Sequence, residues 1–167
     1  MARMRFRGRR LLFVSILATM VVPFQSIMLP VFLICRYLGI VNSPIGVVLP
    51  TAVTALGVFL LRQAFLEIPH ELEEAARMDG CSDFKIWYRI MLPLIKPSLA
   101  TLAIITFTAS WSDFLWPIIV LQEPDKFTLP IGMQYFMSML TSNWQHIAAV
   151  SIIAVAPTVV LFLLLQK

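Results

Sequence analysis

The sequence predicts an all-α integral membrane protein: a helical bundle of about four spans, with a polar helix-turn-helix loop between two of them. Composition, apolar run length and charge placement predict it. Of 167 residues, 59% are hydrophobic and 13% charged, against about 25% charged in a soluble domain. Mean hydropathy is +0.86. The apolar residues gather near 11–35, 45–65, 98–121 and 147–165, runs that match the roughly 17–25 residues needed to cross hydrocarbon. Each span is expected to be helical, because hydrocarbon offers backbone amides no partner outside the segment.

The first span is the least regular. Pro23 and Pro30 each remove a backbone donor, which predicts a helix from Leu11 to about Val22, a break, and a second short helix to Tyr37. Gln25 lies between the prolines. Broken helices in transporters often line a cavity, so Gln25 is a candidate path residue; the alternative is a kinked helix whose carbonyls are covered by neighbours.

Lysine and arginine placement sets direction. Arg3, Arg5, Arg7, Arg9 and Arg10 precede the first span, Arg62 stands at the loop end of the second, Arg77, Lys85, Arg89 and Lys96 lie between the second and third, and Lys167 follows the fourth. Only Arg36 and Lys126 fall on the other side. The basic side is expected to be cytoplasmic, with both termini inside. The net charge of +4 is thereby read as a topology signal rather than a nucleic-acid surface. The charged start followed by an apolar run also fits a signal peptide, but no small-x-small cleavage site precedes Pro23, so retention is expected. Cys35 and Cys81 are expected near opposite membrane faces, unpaired and structural.

Residues 67–97 form the cytoplasmic loop. Pro69 suits a first helical turn. Glu71, Glu73 and Glu74 follow it, placing negative charge at the positive end of a helix dipole. Glu73 and Arg77 are spaced to pair. Gly80 falls where a left-handed C-terminal cap is required. Ser82 then caps a second helix from Asp83 to about Leu92, ended by Pro93. Leu72, Ala75, Ala76 and Asp79 share a face on which two alanines permit close approach. Phe84, Trp87 and Tyr88 place aromatic area on the second helix, as binding surfaces do and as a membrane-interface belt also does.

Glu74, Ala75 and Ala76, then Gly80 after three residues, then Ile90, Leu92 and Pro93 after nine more, reproduce the pattern E-A-A-x3-G-x9-I-x-L-P. This resembles the "EAA" loop of permease subunits in bacterial ATP-binding-cassette importers. The resemblance implies that the loop docks in a groove of a cytoplasmic ATPase through Glu74, Ala75, Ala76 and Gly80, with Asp79, Phe84 and Trp87 as further contacts. Four more segments resemble the carbohydrate-type members: Val22–Gln25, Leu38–Asn42, Phe59–Gln63 and Ser110–Pro117. They imply a sugar, polyol or sugar phosphate as solute. They also imply a cytoplasmic ATP-binding subunit dimer, a second, usually different, permease subunit and an extracytoplasmic solute-binding protein. The loop 122–145 would meet that binding protein, with Tyr135 and Trp144 as anchors. The four spans match the third to sixth of the family's six, so the first two are expected to be missing and the chain is expected to be a truncated form.

The third span carries Asp113, the one acidic residue in any span, beside Trp111, Ser112 and Trp116. A carboxylate at a span centre costs about 2.5–3.5 kcal/mol on insertion scales, so such residues usually face a cavity. Indole faces stack on sugar rings while Ser and Asp bond hydroxyls. These four, with Gln25, are candidates for the solute path; a boundary aromatic belt is the alternative for the tryptophans. No phosphate-binding loop, nucleophile elbow or metal-ligand spacing occurs: His70-Glu71 fails H-E-x-x-H because Glu74 occupies the last position. No catalytic, cofactor or metal residue is expected, and ATP hydrolysis is assigned to a partner. Two readings compete: the same architecture serving peptides or amino acids, and a four-span scaffold with no transport role.

Overall fold

Proline, glycine and capping hydroxyls decide where the helices of this chain break. The computed structural model describes residues 2–4, 6–139 and 144–165. Its helices are α1 (Arg9–Ala18), α2 (Phe24–Tyr37), α3 (Pro44–Val48), α4 (Ala55–Glu67), α5 (His70–Met78), α6 (Asp83–Ile86), α7 (Leu92–Leu94), α8 (Lys96–Trp111), α9 (Leu115–Val120), α10 (Leu129–Met139) and α11 (Trp144–Leu165). Among the described residues there is no strand. Counted over residues with described side chains, no single helix is long and apolar enough to cross a membrane; α11 contributes Ala148–Leu164. Three broken pairs pass by length and composition: Arg9–Val21 with Phe24–Tyr37, Pro44–Thr51 with Ala55–Glu67, and Asp83–Leu94 with Lys96–Trp111.

The break in the first pair falls at Val22–Pro23, both extended, while Pro30 sits inside α2. One proline therefore ends a helix and the other is absorbed. The residues of the third sequence-read span divide at Ser112–Phe114 into α8 and α9. Pro117, which has no N–H to return to Asp113, lies inside α9. Thr54 starts α4 by accepting the Gly57 amide at 3.1 Å, and Ser43 starts α3 by accepting the Gly46 amide at 3.2 Å.

The chain divides into two units, residues 1–22 with 53–103 and residues 23–52 with 104–167. The first unit's core is Ala64, Ile68, Ala76, Ile86, Met91 and Ile95. Here α1 lies along α4, with Phe13 and Phe59 stacked at 6.5 Å and the Arg62 guanidinium 4.0 Å above the Phe13 ring.

The second unit's core is Met28, Cys35, Trp116, Val120, Leu121 and Ile131. Trp116 is its anchor, 1% exposed. Its indole N–H is shared between the carbonyls of Gly46 and Val47, each at 3.2 Å, and Phe24 meets it edge-on at 5.4 Å. Gly46 makes this approach possible: a Cβ there would collide with the Ile40 carbonyl oxygen. The Leu38–Asn42 turn closes the unit. Gly39 at φ 69 completes a Schellman cap on α2, with Ile40 N–H on Cys35 O at 3.0 Å. Asn42, at φ 58, donates its amide to Val120 O at 2.9 Å and accepts from the amides of Gln122 and Glu123. Lys126 lies 2.6 Å from Glu123. The Lys126 ammonium, and after it the Asn42 side chain, hold the Glu123 carboxyl below the usual range, and Glu123 in turn raises Lys126.

Two substitutions test the Trp116 anchor. Gly46→Ala should lower stability by about 1–3 kcal/mol through overpacking against backbone. Trp116→Phe should cost a similar ~1–3 kcal/mol by leaving two buried carbonyls without their shared donor. Both are read as lower thermal midpoints of the detergent-solubilised chain. An unchanged midpoint for Gly46→Ala would contradict the close approach.

Candidate functional site: the 67–97 elbow

The elbow begins where α4 stops. Ile68 and Pro69 are extended, at ψ 127 and 140, and form a two-residue joint. Helix α5 then runs nine residues with Glu71 and Glu73 in its first turn and Arg77 in its last, the charge order its dipole favours.

Gly80 ends α5 as its position in the sequence predicts. It stands at φ 75, its amide bonds Arg77 O at 3.0 Å, and the Cys81 amide bonds Ala76 O at 3.0 Å. This is a Schellman cap, with Cys81 packed back on the core beside Ala76. Ser82 opens α6 by accepting the Lys85 amide at 3.4 Å. The second helix does not stop at Pro93. Residues Trp87–Met91 widen into a π turn, with the Leu92 amide on Trp87 O, and the bend falls at Ile95. A proline ring crowds the carbonyl four residues earlier, here Arg89, and a widened turn moves that carbonyl aside. The segments on either side of the bend, Asp83–Leu94 and Lys96–Trp111, meet at 72°.

The site residues divide by exposure. Glu74, Ala75, Asp79, Gly80, Phe84 and Trp87 are on the surface. Phe84 is 73% exposed and Trp87 41%, with rings 5.6 Å apart. Ala76 is not among them. It is buried against Ile68 and Ile86 in the unit's own core, so its small side chain lets α5 seat on its own chain. Leu72 is exposed, so the face shared by Leu72, Ala75 and Asp79 points outward while Ala76 does not.

Arg77 keeps the ion pair its helical spacing predicts and adds a closer one. It forks onto Asp83 Oδ1 at 3.2 and 3.1 Å, tying α5 to α6, and stands 3.9 Å from Glu73. The nearer cation to Glu73 is Arg3, at 2.9 Å. Sequence reasoning took Arg3 as a topology charge alone. The available signal was Glu73 itself, three residues before Ala76 and so on the same inward face.

The candidate path residues lie in the second unit and are not all alike. Gln25 and Ser112 are exposed. Trp111 donates its indole N–H to Ala154 O at 2.8 Å and stacks on Phe107 at 5.5 Å. With Ser112 it lines a cavity of about 290 Å³ whose other walls include Leu129, Met133 and Thr158. Asp113 is half-buried and accepts the Trp116 amide at 3.5 Å, at the start of α9. Trp116 is fully packed, so its indole bonds backbone inside the unit rather than a cavity. Tyr135 is exposed on α10, T-shaped against Phe127 at 6.1 Å. The side chain of Trp144 lies outside the described residues. Cys35 and Cys81 are both free. Among the described residues no cluster of His, Cys, Asp or Glu could hold a metal ion.

The Gly80 cap generates a prediction. No atom stands within 4 Å of a Cβ added there, so only the left-handed backbone resists substitution. Gly80→Ala should cost about 1 kcal/mol and Gly80→Asn less. Hydrogen exchange at the Cys81 amide checks this, with about fivefold faster exchange in the alanine variant.

Over residues 1–167 the chain matches the family described as binding-protein-dependent transport system inner membrane component. It is 41% identical over 162 residues to AraQ of Bacillus subtilis, an arabinooligosaccharides transport system permease protein, covering 97% of this chain and 58% of AraQ. It is 34% identical to UgpE of Yersinia pestis, an sn-glycerol-3-phosphate transport system permease protein, covering 98% and 59%. A solved bacterial ABC transporter involved in import of the acidic polysaccharide alginate superposes with TM-score 0.86 at 28% identity, covering 99% of this chain and 64% of that one. The chain thus spans a little under three fifths of the curated relatives' length. An all-helical chain with the elbow spacing kept, matched along its whole length, belongs to the binding-protein-dependent transport system inner membrane component family.

Proposed function

We propose that this chain forms part of the membrane-spanning subunit of an ATP-driven importer for a sugar, polyol or sugar phosphate. Its elbow takes up force from a separate cytoplasmic ATP-binding subunit dimer. The observation that carries the reading is the elbow's two-sidedness. Glu74, Ala75, Asp79, Gly80 and Phe84 form an exposed surface, while Ala76, Ile86 and Ile95 fasten the same turn to the chain's own core. A lever needs both: a face for the partner and a stiff root.

The carbohydrate assignment is supported by relatives named for arabinooligosaccharides and sn-glycerol-3-phosphate and by a structural neighbour that imports alginate. A second permease subunit and a solute-binding protein complete the proposed assembly. Exposed Tyr135 on α10 is the described candidate for the binding-protein contact. For the solute path the observations favour Trp111, Ser112 and half-buried Asp113 over Trp116, whose indole is spent on backbone carbonyls. The elbow lies on the cytoplasmic side in this reading, with four spans formed mostly by broken helices.

Two measurements test the docking. Glu74→Lys should reduce co-purification of the ATP-binding subunit by about tenfold, a loss of ~1.4 kcal/mol. Gly80→Pro should abolish it, because proline can supply neither φ 75 nor the amide bonded to Arg77 O. Met78→Cys, 85% exposed at the elbow tip, should react with a membrane-impermeant maleimide in inside-out vesicles and not in intact cells. Normal subunit recovery from both elbow variants, or labelling of Met78→Cys from outside, would overturn the reading.

A further inference from the structure

The joint between α4 and α5 is two extended residues, Ile68 and Pro69, and extended backbone alone does not fix the angle between two helices. A third segment crosses it. The Arg3 guanidinium, from the segment preceding α1, donates to the Ile68 carbonyl at the centre of the joint. On the α5 side it stands 2.9 Å from Glu73 Oε1, with Nη1 against the His70 ring at 3.0 Å. Both charged side chains are nearly enclosed, Arg3 10% and Glu73 7% exposed. Glu73 is the one buried charged residue among the described residues.

We infer that Arg3 is a positioning residue that braces the α4–α5 joint, holding the elbow at a fixed angle to the helix it moves.

Three observations support a positioning role over simple stability. Arg3 Nε and Glu73 Oε1 are buried without a directed hydrogen-bond partner. A buried ion pair left partly unsatisfied is poor evidence of net stabilisation, and fixing register is the best-attested use of such pairs. The acceptors also run from the middle of the joint to α5, the Ile68 carbonyl at one end and Glu73 with His70 at the other. A planar guanidinium fork can address such separated acceptors together, whereas a lysine ammonium is a point charge. Finally, the brace has an anchored root. The segment carrying Arg3 leads into α1, which is held to α4 by the Phe13–Phe59 stack and by Arg62 over Phe13. Without Arg3, the nearest cation to Glu73 is Arg77 at 3.9 Å, itself 56% exposed and forked onto Asp83.

That the braced angle matters for force transfer rests on the coupling function proposed above; the brace itself rests on the joint alone. The test uses the full chain co-expressed with its ATP-binding subunit and reconstituted in nanodiscs. Spin labels are placed at exposed Leu56 on α4 and Met78 on α5, with Cys35 and Cys81 replaced by alanine. Arg3→Gln and Glu73→Gln should each broaden the label distance distribution at least about twofold. Arg3→Lys, which keeps the charge without the planar fork, should broaden it as well, and Arg7→Gln, on the same segment, should leave it unchanged. The two glutamine variants should still co-purify with the ATP-binding subunit but lose stimulation of ATP turnover by the solute-loaded binding protein. Unchanged distributions in both glutamine variants would overturn the brace. Broadened distributions with full stimulation would overturn its part in force transfer. Failure of the unaltered chain to hold the ATP-binding subunit would instead strike the docking proposal, and the distance measurement would still decide the brace.

Discussion

Seating of the elbow on its apolar cluster is the contact on which the proposed mechanics depend. Ile68, Ala76, Ile86, Met91 and Ile95 come from the joint, α5, α6, the π turn and the bend before α8. Every piece of the elbow therefore contributes to one core, and none can shift without opening it. Full burial of an aliphatic side chain is worth about 1.5–3 kcal/mol, and Ile86 and Ile95 are 2% and 3% exposed. Polar contacts then fix orientation on this seat: Arg77 to Asp83 between the two helices, and Arg3 across the joint.

Much of the elbow was legible because its signals are local. Glycine at the end of a charged helical run and serine two residues later each act within a few residues, and Gly80 and Ser82 stand as those rules require, while Pro69, expected in the first turn of α5, stands just before it as the extended N-cap. The same rules gave less where tertiary packing competed. Pro93 was expected to stop a helix, but a π turn accommodates it and the chain bends two residues later. The Arg77 partner of Glu73 was legible on its own helix, but a closer cation lies seventy residues earlier in the chain. Proximity of that kind has no periodicity to reveal it.

The second unit shows the limit in another form. Trp111 and Trp116 carry the same chemistry, five residues apart, and the sequence offered no reason to treat them differently. Trp116 is drawn inward by Gly46, whose missing Cβ clears the approach to the carbonyls of residues 46 and 47. Trp111 instead borders a cavity. The distinction depends on a glycine seventy residues away, not on anything near either indole. Asn42 is a similar case. Its positive φ is tolerable for asparagine, and its side chain then holds the backbone of Gln122 and Glu123. A residue of the matched Leu38–Asn42 segment thereby acts as a structural latch.

Two glutamates and two alanines in a row, Glu73 to Ala76, state the elbow's design in its shortest form. Successive residues on a helix point about 100° apart, while residues three apart share a face. Glu73 and Ala76 therefore turn inward together, the one to Arg3 and the other to the core. Glu74 and Ala75 remain outside. Each chemistry appears once on each side: a carboxylate for the brace and one for a partner, a small side chain for the chain's own packing and one for another surface. Exchanging inner Ala76 with outer Glu74 would keep the composition unchanged. It would still move a charge into the core, and a methyl out of it, so side rather than residue type decides what each position does.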